Sequence, residues 1–229
     1  PGKVNSDASH LVSYAGKPMQ SNLRCYWKVK SYTTKGETSC SEPAQWIMGL
    51  LGETHLRGQW IGMDALAPWD SETQWSRLSA RYLRTEFKLA KEIKQATVHI
   101  SGMGMYELFI NGNRVGDQVL APAPTDYRKT VLYNSFDVTS LLNAENAIGV
   151  TLGTGRFYAM RQNFKNYKIP TFGYPKMRLN LIIEYTDGTK ETIISDTKWK
   201  LTADGPIRSN NEYDGEEYDA RKELGDWAK

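Results

Sequence analysis

The sequence predicts an all-β chain, and three observations carry that expectation. Apolar and polar residues alternate with period two in several separated segments, the pattern of strands with one buried face. Asn111-Gly112 and Asp187-Gly188 separate such segments, and both dipeptides accept the positive φ angles of tight hairpin turns. Helical patterning is confined to residues 137–142, DVTSLL, with Asp137 placed as a cap.

The elements follow in chain order. Residues 1–10 are polar and read as a connection between strands. Residues 23–32, LRCYWKVKSY, alternate as one strand, with Cys25, Trp27 and Val29 on one face and Arg24, Tyr26 and Lys28 on the other. Thr34-Lys35-Gly36-Glu37 reads as a turn, and Ser41-Glu42-Pro43-Ala44 leads into a short strand at 45–48. This part resembles the second half of a fibronectin-type or immunoglobulin-like sandwich, in which a Y-W-x-V strand precedes a W-S-E-P-A-like approach. Cys40 stands here at the Trp position. A complete sandwich of that kind takes about 100 residues and about seven strands. Residues 1–50 supply three or four, so a partial domain is expected.

Residues 51–79 read as a linker carrying Trp60, Trp69 and Trp75, rings that suit either domain packing or a sugar platform. Leu83, Thr85, Phe87 and Leu89 then share one strand face, and Ala96, Val98 and Ile100 form the inward face of the next. Tyr106, Leu108 and Ile110 alternate up to Asn111-Gly112. A return strand through Arg114 and Val115 breaks at Gly116-Asp117, and Pro122 and Pro124 make the following segment irregular. Residues 127–136 read as a strand, and Ile148, Val150 and Leu152 alternate up to Gly153-Thr154-Gly155. Residues 159–174 form a long polar and aromatic loop of the kind that is usually functional or disordered. A hairpin spans 177–194, Trp199 and Leu201 lie on a further strand, and 212–221 closes the module. Gly225-Asp226-Trp227 reads as an exit. Trp227 and the 159–174 loop are expected to be exposed, at a surface meeting a further part of the protein.

Composition narrows the function classes. The net charge of +3 is spread over interspersed signs with no run of five like charges, so no nucleic-acid footprint is expected. No apolar run approaches the length needed to span a bilayer. Two cysteines, Cys25 and Cys40, exclude a disulfide framework and leave open whether the two pair. His10, His55 and His99 are scattered, with His99 alternating outward. The motifs HExxH, CxxC, GxSxG and the P-loop are all absent. No metal or cofactor is therefore expected. Gly102-Met103-Gly104 and Gly153-Thr154-Gly155 lack the third glycine of a dinucleotide fingerprint and read as corners where backbones approach closely. The cluster 212–219, EYDGEEYD, is dense in carboxylates. A glycosidase needs two of these across the scissile bond, and this cluster could supply them. In the other reading Asp219 and Arg221 brace a loop through an arginine fork.

Four separated blocks carry a specific resemblance: GMGMYELFINGNRVGD, APAPTDYRKTVLYNSFDVTSLL, NAIGVTLGTGRFY and NNEYDGEEYDAR. In that order they resemble the β-sandwich module preceding the catalytic domain of bacterial α-L-rhamnosidases, glycoside hydrolase family 78. The resemblance implies an antiparallel, jelly-roll-like β-sandwich over 80–229, after an immunoglobulin-like part at 1–50 and a linker at 51–79. It implies a non-catalytic region, because the family's acid and base belong to a separate, downstream (α/α)₆ barrel. That barrel would be this chain's partner, and the substrate a glycan or glycoside bearing terminal α-L-rhamnose, hydrolysed with inversion. Some related sandwiches bind rhamnose through calcium held by an Asp-Asn pair. Met103 and Gly104 stand at the matching positions and offer no side-chain oxygen, so no such metal site is expected. A different carbohydrate site is drawn from Asp126, Tyr127, Arg156, Tyr158, Asp214, Glu216, Tyr218 and Asp219. The competing reading is that these residues brace loops.

Overall fold

A computed structural model describes residues 5–6, 8, 13–33, 35–52, 55–71, 78–158, 172–212 and 215–229. His10, Trp75, Asp214 and most of the 159–174 loop lie outside the described residues. The chain divides into two compact units, Pro1–His55 and Leu56–Lys229.

The first unit holds β1 (Arg24–Trp27), β2 (Lys30–Thr33), β3 (Gly36–Cys40) and β4 (Ala44–Ile47). β1 pairs antiparallel with β4, and β2 with β3. The strand expected over 23–32 is therefore two strands. At the break, the Val29 N–H donates to Ser41 Oγ at 2.9 Å and the Val29 carbonyl accepts from the Ser41 N–H at 2.8 Å. The chain changes partner there, which alternation alone does not signal. Tyr26, Trp27 and Val29 are more than half exposed, and no described residue of this unit is fully buried. Cys25 and Cys40 are both free thiols.

The second unit is a sandwich of two five-stranded antiparallel sheets. One sheet has the order β10-β7-β12-β13, from Tyr133–Asp137, Ile93–Met103, Lys176–Tyr185 and Lys190–Ile194, with β5 (Ile61–Gly62) also on β12. The other has the order β14-β6-β11-β8-β9, from Lys200–Thr202, Arg81–Lys88, Glu145–Gly153, Met105–Ile110 and Asn113–Arg114. A hairpin of β15 (Ile207–Asn211) and β16 (Gly215–Tyr218) completes it. The fold is all-β, as expected.

The core lies between the two sheets. Ala96, Val98, Ile100, Leu179, Leu181 and Ile183 on one side meet Leu83, Leu108, Ile110, Ile148, Val150 and Leu152 on the other, all essentially without exposure. Each such side chain stabilises by roughly 1.5–3 kcal/mol relative to exposure. The turn after β8 has φ of 51° at Asn111 and 78° at Gly112, and Ile110 pairs with Asn113 across it. The Asp187-Gly188 turn closes the β12–β13 hairpin with a positive φ at Gly188 alone, 81°.

Two local expectations are corrected. Residues 127–132 are not strand. The Asp126 carbonyl accepts from the N–H groups of Lys129 and Thr130 at 2.8 and 3.0 Å, which winds a turn and delays the strand to Tyr133. His99 does not face solvent; it is fully buried. The sheet that carries it is covered on its outer face as well. Asn180 Oδ1 accepts from the Gly58 N–H at 2.7 Å, Arg178 donates to the carbonyls of Leu56 and Gly58, and Ser195 Oγ donates to the Gln59 carbonyl at 2.6 Å. The His99 ring bonds Ser135 Oγ at 2.7 Å through Nδ1 and meets the edge of Tyr133.

Candidate functional site

One end of the second unit is built around two glycine corners. Gly104 has φ of 127°, and a Cβ there would lie 2.4 Å from the Gly153 carbonyl oxygen. A Cβ on Gly153 would lie 2.7 Å from Asn210 Oδ1. At Gly104 the backbones therefore pass too closely for any side chain, as the corner reading expects, while at Gly153 the space is taken by the Asn210 side chain. Asn210 locks the β15–β16 hairpin to this corner. Its Oδ1 accepts from the Thr154 N–H at 2.7 Å, its carbonyl accepts from Thr154 Oγ1 at 2.8 Å, and its Nδ2 donates to the Leu78 carbonyl at 3.0 Å. Thr154 is 2% exposed, so these bonds satisfy groups that water does not reach.

Between the hairpin, the corner and the start of β8 lies an open cleft of about 440 Å³. Glu107, Leu120, Thr154, Asn210, Glu212 and Glu216 are among its lining residues. Val119 and Leu120 form an apolar wall, 77% and 69% exposed, and Leu120 has φ of 56°, a strained conformation for a branched residue. Glu107 is paired with Arg114 at 3.2 Å.

The residues nominated from sequence divide sharply. Arg156 pairs with Glu212 at 2.6 Å beside the cleft, and Glu216 lines it directly. Tyr127 stands within the field of both Glu212 and Arg156; burial first, then Glu212, pushes its phenol up. Its ring packs edge-on against Phe157 and Phe172, at centroid distances of 5.3 and 5.5 Å. Tyr158 is only 4% exposed and stacks on Tyr174 at 5.6 Å, so it presents no face to a ligand. Asp126 accepts from Arg128 Nε at 3.0 Å and pairs with Lys129, which makes it a turn residue whose carboxyl Arg128 holds low. The Tyr218 hydroxyl donates to Glu223, and this bond above all raises its phenol.

Asp219 and Arg221 form the expected fork. Arg221 donates from Nε and Nη2 to the two carboxylate oxygens, each at 2.8 Å, and the Arg221 N–H caps back onto Oδ1 at 3.1 Å. The Arg221 bond holds the Asp219 carboxyl down at about 2. The fork starts the 3₁₀ turn at Ala220–Lys222 and leaves Asp219 no free oxygen for a substrate proton. Glu107 and Val119–Leu120 were not nominated from sequence, and Glu212 was singled out only within the carboxylate cluster 212–219. Alternation on β8 does point Glu107 outward, but no local pattern marks Val119 or Leu120.

Trp227, expected as an open exit, is half-buried. It meets the edges of Tyr82 at 5.3 Å and Phe109 at 5.9 Å, on ground cleared by Gly149, where a Cβ would lie 2.8 Å from the indole. Trp69 donates to Ser79 Oγ at 3.2 Å and carries the Arg208 guanidinium 4.5 Å above its ring. Beside it, the fully buried Asp70 and Arg81 pair at 3.0 Å. Asp70 also accepts from the N–H groups of Ala67 and Ser79, each at 2.8 Å, so the carboxylate is well supplied, while Arg81 Nε is buried without a partner. No group of three or more His, Cys, Asp or Glu among the described residues is arranged to hold a metal ion. No helix among them is long and apolar enough to cross a membrane.

The second unit is an antiparallel two-sheet β-sandwich with an open cleft at one end, and a small β unit precedes it in the chain. The chain belongs to the α-L-rhamnosidase N-terminal domain family: the model of that domain matches residues 91–229. The model of the Rha78A-like N-terminal immunoglobulin domain matches residues 1–52. An α-L-rhamnosidase of Formosa agariphila is 39% identical over 245 residues, covering 98% of this chain and 26% of the relative. The α-L-rhamnosidase structure from Dictyoglumus thermophilum is 37% identical with a TM-score of 0.83, covering 99% of this chain and 25% of that one. The native rhamnosidase structure from Aspergillus terreus is 34% identical with a TM-score of 0.86, covering 98% and 26%. The chain thus spans about a quarter of the length of the relatives it matches.

Proposed function

We propose that this chain is the N-terminal, non-catalytic region of an α-L-rhamnosidase and serves as a scaffold bordering a catalytic part outside it. The observation that carries this reading is the match of residues 91–229 to the rhamnosidase N-terminal domain, in a chain spanning a quarter of relatives bearing that name. The catalytic part is the (α/α)₆ barrel implied by the family resemblance, and the substrate a glycan or glycoside ending in α-L-rhamnose. The carboxylates here favour a structural role. Glu212 is tied to Arg156, Asp219 to Arg221 and Glu107 to Arg114, whereas a glycosidase needs one free carboxylic acid facing a second carboxylate across the bond. Incubating the 229-residue chain with 4-nitrophenyl α-L-rhamnopyranoside is expected to release no nitrophenol. A protein spanning the relatives' full length is expected to turn it over. Turnover by the chain itself, lost on Glu216→Gln, overturns the reading.

A second reading is favoured by the 440 Å³ cleft at Glu216, whose carboxylates and exposed Val119–Leu120 wall suit a hydroxylated ring. There the domain acts as a carbohydrate-binding module for rhamnose-containing glycans, with Arg156 and Glu216 the nominated residues best placed to serve. Titration with methyl α-L-rhamnopyranoside, wild type against Glu216→Gln, decides between the two: saturable binding lost in the variant supports the module.

A further inference from the structure

We propose that the second unit carries a separate binding site for an uncharged pyranose unit, in the cleft between Trp60 and Trp199. This cleft, of about 340 Å³, spans the seam between the two sheets: Ile61 and Lys176 belong to β5 and β12, Leu83 and Leu201 to β6 and β14. Its size falls in the range of small-molecule sites, roughly 300–1,000 Å³. It does not rest on the Glu216 reading, since the two clefts share no lining residue.

The chemistry of the walls selects the ligand. The floor is apolar, made of Leu201 and of Trp199, which is 8% exposed with its indole N–H already given to the Ile194 carbonyl at 3.0 Å. Trp60 is half-buried and forms a side wall. It is held in place because the Gln59 N–H donates to the Ser195 carbonyl at 2.7 Å and Ile61 pairs with Met177. A flat, fixed aromatic ring offers a broad dispersion surface to the C–H face of a sugar at little entropic cost. The rim is polar. Asp64 and Lys176 neutralise each other at 2.8 Å, which leaves Asp196 as the remaining charge. Asp196 Oδ1 accepts from the Lys198 N–H at 2.9 Å, which leaves Oδ2 to accept from a ligand hydroxyl.

Other ligand classes fit worse. An anion meets the Asp196 carboxylate. A wholly apolar ligand strips water from the Asp64–Lys176 pair and from Asp196 without returning hydrogen bonds. A neutral ring with one C–H face and a rim of hydroxyls matches both parts of the cleft.

The test follows the indole N–H resonance of Trp60 in the 229-residue chain, assigned with Trp60→Phe, during titration with methyl α-L-rhamnopyranoside, methyl α-D-mannopyranoside and sodium glucuronate. The Trp60 resonance is expected to move saturably with at least one methyl pyranoside, with Kd on the order of 1–10 mM, and not with glucuronate. Asp196→Asn, which keeps an acceptor oxygen for the Lys198 N–H, is expected to weaken binding roughly threefold or more, as loss of a charge-assisted hydrogen bond does. Trp60→Phe, followed through the Trp199 indole N–H resonance, keeps a packed ring and is expected to bind more weakly while folding normally, which covers the case that Trp60→Ala does not fold. Because the resonance followed belongs to a residue of this cleft alone, sugar held in the cleft at Glu216 is read separately. The proposal is overturned if no pyranoside moves the Trp60 resonance up to about 50 mM, well above that Kd range. It is equally overturned if glucuronate binds as well as the neutral sugars.

Discussion

His99 shows what a single residue contributes when a strand is covered on both faces. Burial lowers its imidazole to about 4 from an ordinary value near 6.5. Between those two values the unfolded chain binds a proton that the folded chain refuses. Stability is therefore full above about pH 6.5 and is lost as pH falls through this window, by an amount on the order of 2 kcal/mol. Urea midpoints measured from pH 7 to pH 4 are expected to fall for the wild type and to fall less for His99→Gln; parallel curves would refute the assignment. Gly112 makes a different demand. Its φ of 78° and its N–H bond to the Ala228 carbonyl at 2.8 Å fix the turn that registers β8 on β9. Gly112→Val is expected to cost about 1–3 kcal/mol, read from thermal unfolding. The two residues differ in how far the sequence announces them. Asn111-Gly112 names its own turn. Alternation assigns His99 to a face but says nothing of what covers that face, because the covering residues lie far away in the chain.

Among the elements, the β15–β16 hairpin is attached through the Asn210 side chain and through the Ala80 N–H, which donates to the Ile207 carbonyl at 3.0 Å. Removing Asn210 leaves the Thr154 N–H buried without a partner, and such a group costs about 1–3 kcal/mol. Asn210→Ala is expected to lower stability by that amount and to speed hydrogen exchange at Thr154 more than at Leu108. Equal exchange at both would show that the hairpin is held by other means. The strands of the core were legible because each buries one face: Leu108, Ile148 and Val98 all landed where alternation put them. The break at Val29 was not, since partner exchange between β3 and β4 is decided by Ser41, twelve residues on. The turn at Asp126 was missed because Tyr127, Val131 and Tyr133 have the composition of a strand while the Asp126 backbone winds a turn. For the candidate site, the Asp219–Arg221 fork could be read from a two-residue spacing. The cleft could not, because Glu107, Leu120 and Glu216 meet only through the pairing of distant strands.

At the scale of the whole molecule, the two units differ in what holds them. Every described strand pairing lies within one unit or the other. The second unit has the closed core, while the first has two-stranded sheets and no fully buried described residue, and isolated two-stranded pairs are marginal in water. A chain beginning at Leu56 is expected to unfold cooperatively on its own, whereas residues 1–55 alone are expected to give no sharp calorimetric transition. A cooperative transition from residues 1–55 would contradict this. The bond from the Gly58 N–H to Asn180 carries a further consequence, for synthesis rather than stability. It joins residues 122 positions apart, and among the described residues β5 beside it pairs with β12 alone. At the usual pace of translation, about 5–20 residues per second, Trp60 and Ile61 leave the ribosome on the order of ten seconds before the strand that shelters them exists. The opening stretch of this unit is therefore made first and docked late, which leaves it open meanwhile to chaperones that hold nascent apolar segments.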